Sequence, residues 1–286
     1  MDVRTAKTAG FCFGVKKAVD AVYEAIETNE TIYTYGPIIH NEQVIKELSG
    51  KGVRIINDIN ELDGIEDGTV IIRSHGVGKE VYEALEKRNL KIIDATCPFV
   101  LKIHKLVRDE ALKGKKIVIA GNRDHPEVQG IISFAGDDVT VIEEPEDAVN
   151  FSNPGRKSVC LAAQTTFNVN KFKEIVEIFD KKEYSVNVVN TICNATSERQ
   201  KEAGQLASDV DCMIVIGDVS SSNSKKLYEI CLGLCHNTVF VQTLDDLVSR
   251  NDIFSKSTAC VGITAGASTP NKIIEEVQRY VRRDDI

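Results

Sequence analysis

Short apolar, often β-branched runs alternate along the whole chain with longer segments whose apolar residues recur every three or four positions. Phe172, Ile175, Val176 and Phe179, for example, have the spacing of an amphipathic helix. Alternating short strands and helices predict βαβ crossovers and parallel sheets, so the expected fold class is α/β. The predicted strands are residues 31–35, 53–56, 69–72, 91–93, 117–120, 139–142, 159–163, 186–189, 213–216, 239–241 and 260–263.

One longer pattern occurs three times. A strand-like run leads to a cysteine, a helix-like segment follows, and the next strand ends in glycine with polar residues four and six positions later. Loop composition alone would often give one such match. Agreement in all three copies predicts three related α/β units. The cysteines are Cys12, Cys97 and Cys193, the glycines are Gly36, Gly121 and Gly217, and the polar residues are His40, His125 and Ser221, then Glu42, Glu127 and Asn223.

Composition narrows the classes of protein. With 286 residues, 42% hydrophobic and 27% charged, the chain has the make-up of an ordinary globular protein of one large or two to three small domains. A net charge of −8 argues against a general nucleic-acid or anionic membrane surface. No charged-then-apolar leader and no apolar run of about 20 residues occurs, so we expect a cytoplasmic protein. Its eight cysteines do not suggest a disulfide framework.

The three repeated cysteines predict a metal centre. Ligands of open parallel sheets bind outside the carboxyl ends of the strands, where all three cysteines lie. If the three units pack around a pseudo-threefold axis, Cys12, Cys97 and Cys193 meet at its centre. A structural zinc site needs four ligands, whereas three thiolates on an iron–sulfur cubane leave one iron open for substrate. Each of the three cysteines also precedes a predicted helix, and the dipole at the helix N-terminus would favour the thiolate form of the cysteine.

Polar side chains at the same strand ends predict an anion-binding cavity. A single histidine in such a place is more often a hydrogen-bonded structural residue. As a set, these neutral donors suit a phosphate or diphosphate, with helix N-termini adding backbone N–H groups. No nucleotide-binding glycine motif occurs. The set is His40, His75, His125, Thr165, Ser221, Ser222, Asn223 and Ser268.

Glu127 is the carboxylate of this set with an evident chemical task. It stands at the start of a predicted helix after His125 and Pro126. A carboxylate there commonly just complements the helix dipole. Burial beside an anionic cluster and a diphosphate would instead raise its pKa and make it a general acid. The cysteine context favours the acid.

The other five cysteines are expected to be structural. Cys160, Cys212 and Cys260 lie in or beside apolar strands, which is typical of buried thiols. Cys231 and Cys235, four apart on a predicted helix, could bind metal, but no second ligand pair accompanies them. We expect packing residues.

Several motifs resemble the 4-hydroxy-3-methylbut-2-enyl diphosphate reductase family, which ends the methylerythritol phosphate route to isoprenoids. The resemblance covers essentially the whole chain in order. It rests on residues 9–15 (AGFCFGV), 74–76 (SHG), 94–98 (DATCP), 121–127 (GNRDHPE), 164–166 (QTT), 192–196 (ICNAT) and 221–224 (SSNS).

The resemblance implies three α/β domains with small, mainly parallel sheets around a central [4Fe–4S] cluster held by Cys12, Cys97 and Cys193. It places the domains at 14–97, 98–193 and 194–286, with strand 1–13 joining the third. It assigns the diphosphate to His40, His75, His125, Ser221, Ser222, Asn223 and Ser268, and proton delivery to Glu127 assisted by Thr165.

The implied reaction is reductive dehydroxylation, in which two electrons and protons convert the substrate into isopentenyl and dimethylallyl diphosphate with loss of water. The substrate hydroxyl binds the open iron. The implied partner is a ferredoxin or flavodoxin as electron donor, and the expected state is a monomer or weak dimer.

Rival interpretations remain open from the sequence. Another three-cysteine cluster enzyme, similar to quinolinate synthase or to a non-redox dehydratase, would share the repeat. Outside enzymes, an iron–sulfur sensor or a zinc-binding structural protein would use the cysteines. A sensor usually carries a nucleic-acid module, which this acidic chain lacks, and structural zinc would leave the polar cavity unexplained.

Overall fold

The computed structural model describes residues 1–28, 30–88, 90–155, 158–182, 184–250, 253–254 and 258–282. The chain divides into two compact units. The first unit comprises Met1–Val15, His40–Val44 and Asn194–Ile286, and the second comprises Lys16–Ile39 and Ile45–Cys193. Helices α1 (Phe13–Ile26) and α2 (Glu42–Gly50) each begin in the first unit and continue in the second.

The second unit holds two four-stranded sheets. One has the order β3-β2-β4-β5 and the other the order β7-β6-β8-β9. The strands are β2 (Ile32–Tyr35), β3 (Arg54–Ile56), β4 (Thr69–Ile72), β5 (Lys91–Asp94), β6 (Lys116–Ala120), β7 (Val139–Ile142), β8 (Val159–Ala163) and β9 (Val186–Val188). Between them lie a 3₁₀ helix (Ile59–Gly64) and α3 (Lys79–Glu86), α4 (Pro98–Leu112), α5 (Pro126–Ala135), α6 (Pro145–Asn150) and α7 (Val169–Asp180).

The first unit holds the third sheet, in the order β1-β12-β10-β11. Its fourth strand comes from the start of the chain, because Asp2 pairs with Cys260 and Thr5 with Ile263. The strands are β1 (Asp2–Thr5), β10 (Cys212–Ile216), β11 (Thr238–Val241) and β12 (Cys260–Ala265). The helices are α8 (Asn194–Ser208), α9 (Ser222–Leu234), α10 (Leu244–Val248) and α11 (Asn271–Val281).

All three sheets are parallel and have the same strand order relative to the chain. In each sheet the fourth strand leads to a cysteine of the repeat: β5 to Cys97, β9 to Cys193 and β1 to Cys12. The α/β class and the three small parallel sheets are therefore confirmed. The domain cuts at 14–97, 98–193 and 194–286 stay a prediction.

Inner strands carry the core. Every residue of β4, β8 and β10 is buried, as expected of parallel strands covered on both faces, whereas the edge strands β1, β5 and β9 are largely exposed. In the third sheet, alternate residues face two separate clusters. One contains Ile214, Ile216 and Ile263, and the other contains Met213 and Val215.

Amphipathic helices cover these sheets. Helix α11 buries Ile273, Ile274, Val277 and Val281, which share one face at helical spacing. In the described residues no helix is both long enough and apolar enough to span a membrane.

Candidate active site

The second unit places Glu127 against the end of β8. Glu127 follows Pro126 in the first turn of α5, and its side chain is almost fully buried, with 1% exposed. Its carboxylate accepts two hydrogen bonds from Thr165, one from the backbone N–H at 2.6 Å and one from Oγ1 at 2.7 Å. The two residues that the sequence pairs for proton delivery are therefore in direct contact.

Burial changes the acidity of this carboxylate. Desolvation raises the pKa of Glu127 to about 6, against the two hydrogen bonds from Thr165, which by themselves would lower it. A carboxyl group with a pKa near neutrality can hold and release a proton under physiological conditions. The alternative role, that of a solvated carboxylate that only complements the helix dipole, does not fit Glu127, because its side chain is buried.

His125 ends the loop that leads into α5. It caps the helix, and its Nδ1 accepts a hydrogen bond from the N–H of Glu127 at 3.1 Å. In the neutral tautomer the proton is therefore on Nε2, which makes that nitrogen a donor. The His75 ring meets the His125 ring edge-on, with centroids 5.5 Å apart. The second unit thus brings together His75, His125, Glu127 and Thr165.

Two of the three repeat cysteines are joined to the same strand ends through backbone hydrogen bonds. The N–H of Cys97 donates to Ser74 O at 3.0 Å, next to His75, and the N–H of Cys193 donates to Thr165 O at 3.0 Å. Cys97 also caps α4, which starts with Pro98.

The first unit positions Cys12 at the carboxyl end of β12. The N–H of Cys12 donates to Ala267 O at 3.2 Å. The buried guanidinium of Arg199, on α8, donates to Ala265 O at 2.7 Å and to Gly10 O at 2.9 Å, so it ties the Cys12 loop to the end of the strand. Gly10 has φ +99°, a conformation that favours glycine.

Polar groups of the first unit gather at the N-terminus of α9. Ser221 caps this helix, and its Oγ lies 3.5 Å from Ser268 Oγ, which donates to His40 O at 2.8 Å. Ser222 is the first residue of the helix. Asn223 is 4% exposed, and neither its amide nitrogen nor its amide oxygen has a hydrogen-bond partner among the described residues. An unpaired buried amide beside a helix N-terminus fits an anionic ligand.

The remaining cysteines differ from the three of the repeat. All eight are thiols. Cys12, Cys97 and Cys193 are half-buried, whereas Cys160, Cys212, Cys231 and Cys235 are buried. The Sγ atoms of Cys231 and Cys235 face backbone carbonyls, those of Ala203 and of Val210 and Asn237 respectively. The expected burial is wrong for Cys260, because it starts β12 beside the edge strand β1, where its Sγ contacts Asp2.

Burial sets the acidity of the buried thiols. Desolvation raises the pKa of Cys160 to about 11 and those of Cys212 and Cys231 to about 12. A thiol with so high a pKa is a poor metal ligand at neutral pH, because the ligand is the thiolate. The repeat cysteines are therefore the better donor set.

Sequence reasoning did not identify three residues that shape these sites. Arg199 lies four and eight positions before Ala203 and Ala207 on the buried face of α8, a signal that helical spacing could have given. Asp218 accepts a hydrogen bond from the N–H of Glu42 at 2.8 Å and so fixes the segment that follows His40. No local signal marks it, because its partner is 176 residues away.

The third residue is His104. It is buried on α4 and stacks on Phe134 with centroids 4.5 Å apart. Burial lowers its pKa to about 4, so the ring is neutral, and neither ring nitrogen has a hydrogen-bond partner in the described part of the chain. A Cβ at Gly130 would lie 3.3 Å from Nε2 and a Cβ at Gly76 3.0 Å from Cε1. Only glycines leave room for this ring.

Comparison with known proteins decides the family. The family described as LytB protein matches residues 3–282. The chain belongs to the LytB family. This confirms the resemblance drawn from the sequence motifs.

Relatives of this LytB-family chain carry consistent names. Proteins named 4-hydroxy-3-methylbut-2-enyl diphosphate reductase from Geobacter metallireducens and Clostridioides difficile are each 42% identical to it, over 285 and 282 residues. The matches cover 100% and 98% of this chain and 98% and 99% of the relatives.

Solved structures agree with the fold. The E-1-hydroxy-2-methyl-but-2-enyl-4-diphosphate reductase of Plasmodium falciparum matches with a TM-score of 0.92 and 28% identity, covering 99% of this chain and 88% of that one. A second structure, described as (E)-4-hydroxy-3-methyl-but-2-enyl diphosphate reductase, the terminal enzyme of the non-mevalonate pathway, matches with a TM-score of 0.67 and 41% identity over 99% of both chains.

Proposed function

We propose that this LytB-family protein is an oxidoreductase that reduces 4-hydroxy-3-methylbut-2-enyl diphosphate to isopentenyl and dimethylallyl diphosphate. The observation that carries the proposal, beside full-length identity to proteins of that name, is the buried Glu127–Thr165 pair. The reaction needs a group that holds a proton near neutral pH, and Glu127 is such a group.

The residues present fit an iron–sulfur cofactor. We assign Cys12, Cys97 and Cys193 as ligands, because these three thiols are half-buried, each follows the fourth strand of a sheet, and none of them is sealed in a core. Three cysteines on a [4Fe–4S] cluster leave one iron without a protein ligand. When bound, the cluster would supply electrons and an open Lewis-acidic iron for the substrate hydroxyl.

We assign binding of the diphosphate to the polar residues that the family resemblance implies. His75 and the Nε2–H of His125 would donate to phosphate oxygens, as would His40. Ser221, Ser222, Asn223 and Ser268 would add the hydroxyl and amide groups around the N-terminus of α9, and the helix dipole would favour the negative charge. The unpaired amide of Asn223 would gain partners on binding.

Proton delivery falls to Glu127. The diphosphate is an anion, so its arrival would raise the pKa of the Glu127 carboxyl further and keep it protonated. The reaction consumes two electrons and two protons: one proton leaves with the hydroxyl group as water and the other forms the new C–H bond. Thr165 Oγ1, which donates to Glu127, would orient the carboxyl towards the substrate.

Other parts of the proposal concern partners. The electrons come from an external donor, a ferredoxin or a flavodoxin, since no second redox group is assigned to the chain. Cytoplasmic localisation and a monomeric or weakly dimeric state remain predictions.

The test is anaerobic reconstitution with iron and sulfide, followed by product assay with and without reductant. We expect the two C5 diphosphates only when reductant is present. A product formed without reductant would indicate a dehydratase. Uptake of zinc but not of iron would reject the assignment of an iron–sulfur cluster to the three cysteines.

A matched variant tests the assigned acid. Glu127→Gln should keep iron content and substrate binding and lose most turnover, by about 10²-fold or more, because only the ionisable proton is removed. Turnover equal to that of the parent protein would remove Glu127 from the role.

A further inference from the structure

Residues 97–116 differ in charge from the rest of the chain. The whole chain has a net charge of −8, but this segment, which contains α4 and the turn after it, has six basic and two acidic residues and a net charge of +4. The basic residues are Lys102, Lys105, Arg108, Lys113, Lys115 and Lys116, and the acidic ones are Asp109 and Glu110.

Part of this positive charge is neutralised within the fold. Lys113 and Lys115 both pair with Glu110, and Lys116 pairs with Asp138 at 2.8 Å. These ion pairs lie at the end of α4 and in the strand that follows. Two carboxylates face three lysines here, so about one positive charge remains at this end of the segment.

The cations nearer the N-terminus of α4 are not neutralised in this way. Among the described residues, the carboxylate within ion-pair distance of Arg108 is that of its neighbour Asp109, at 3.4 Å. Across the described ranges, neither Lys102 nor Lys105 has a carboxylate within ion-pair distance, and both side chains are exposed. Two or three positive charges therefore face solvent on a protein that is acidic elsewhere.

These cations share one face of α4 with exposed apolar residues. Leu101, Lys105, Arg108 and Leu112 are spaced by four, three and four residues and so form one stripe. Leu101 is 39% exposed and Leu112 is 81% exposed. The opposite face of the helix is buried in the core.

Lys102 extends this surface towards the start of the helix. Its Nζ lies over the ring of Phe99, 5.4 Å from the centroid, and Phe99 is 39% exposed. We call Phe99, Leu101, Lys102, Lys105 and Arg108 the α4 face. Exposed apolar side chains beside unneutralised cations suit a transient contact in which charge complementarity orients the partner and speeds the encounter.

The α4 face begins at an assigned cluster ligand. Cys97 caps α4, and with a rise of about 1.5 Å per residue, Leu101 lies only about 6 Å and Lys105 about 12 Å further along the helix axis. Electron transfer between proteins slows steeply with distance, so a donor has to dock close to a ligand of the cluster.

We propose that the α4 face is the docking surface for an acidic one-electron carrier protein. This rests on the proposed function, which requires electrons from outside the chain. The negative charge of the remaining surface would repel an acidic carrier, and the α4 face would attract it, so charge would direct the encounter to the helix that starts at Cys97.

The experiment compares two double variants of the cluster-loaded protein. Lys102→Glu with Lys105→Glu reverses the charge of the α4 face. The control, Lys173→Glu with Lys181→Glu, makes the same change in charge at exposed lysines on α7 and at its C-terminal end. Turnover is measured with a reduced acidic [2Fe–2S] ferredoxin and, separately, with dithionite, which needs no docking surface. Binding of oxidised ferredoxin is measured by calorimetry.

At low salt the α4 variant should raise the KM for ferredoxin and weaken its binding by roughly tenfold or more, while dithionite-driven turnover stays unchanged. The parent protein should lose ferredoxin-driven rate as salt is added, and the variant much less. An equal loss in the control, or an equal loss with dithionite, would overturn the docking surface.

Two further results would also be decisive. Unchanged ferredoxin binding in the α4 variant would reject the proposal, as would a change in the sedimentation coefficient of the variant alone, because the face would then join two copies of this chain. Absence of dithionite-driven turnover in the parent protein would instead refute the proposed function.

Discussion

Replacing Glu127 by Gln should stabilise the protein while it abolishes most activity. Glutamine has the same shape and can keep both contacts with Thr165. Its amide oxygen accepts from the Thr165 N–H, and its amide nitrogen donates to Thr165 Oγ1, which then acts as acceptor. The substitution therefore removes the ionisation of a buried group and little else.

The magnitude follows from the pKa of Glu127. A value of about 6 instead of the ordinary 4.5 means that ionising this group in the folded protein costs about 2 kcal/mol more than in the unfolded chain. Because the folded pKa is raised, the contribution of Glu127 to stability is fully present below pH 4.5 and falls by this amount as the pH rises through 6. The variant has no such loss, so its advantage is near zero at pH 4.5 and about 2 kcal/mol at pH 7.5.

Urea-induced unfolding of the cluster-free proteins, followed by far-UV circular dichroism at both pH values, measures the difference. Glu110→Gln is the matched control on the same unit. Hydrogen bonds from Lys113 and Lys115 lower the pKa of Glu110 to about 2, so its ionised form is favoured by folding and the control should be less stable than the parent at pH 7.5.

The distinctive result is that, at pH 7.5, the free energy of unfolding rises in Glu127→Gln and falls in Glu110→Gln. The carboxylate is not destabilised by burial if Glu127→Gln lowers the free energy of unfolding at pH 7.5. The same conclusion holds if the variant raises that free energy equally at pH 4.5 and pH 7.5. The argument for a proton held near neutral pH would then fail with it.

Two other predictions concern packing. Converting Cys231 and Cys235 to Ser should leave the iron and sulfide content of the reconstituted protein unchanged, because both thiols face backbone carbonyls; loss of iron would show that they are ligands. Gly130→Ala should lower the free energy of unfolding by about 1 kcal/mol, since crowding of the His104 ring outweighs the gain in helix propensity. Gly233→Ala, where an added Cβ meets nothing, should raise it by up to about 1 kcal/mol, and an equal effect at both positions would contradict the crowding.

Local sequence pattern was sufficient for the elements and for the strand-end residues. All the predicted strands occur with ends within two residues of those observed, because buried parallel strands are continuous apolar runs. The rule that parallel strands present their carboxyl ends at one edge places Glu127 and Thr165 on the same side of their sheet, whereas their pairing came from the family resemblance.

Residues that act through distant backbone groups could not be found in this way. Arg199 reaches carbonyl groups 66 and 189 residues away, and the partner of Asp218 is 176 residues away. Cys260 was misjudged for a related reason. Its strand reads as apolar, but it lies next to β1, and the sequence near Cys260 does not reveal that neighbour.

The pairing of β1 with β12 has a consequence for how the protein is made. Ala267, the acceptor of the Cys12 N–H, is synthesised about 255 residues after Cys12. At roughly 5–20 residues per second this is a delay of about 13–50 s, during which the loop that carries Cys12 has no strand to dock against. A nascent chain that has not yet reached Ala267 therefore lacks one assigned ligand in its folded position, so assembly of the proposed cluster would have to wait until β12 and the loop after it are made.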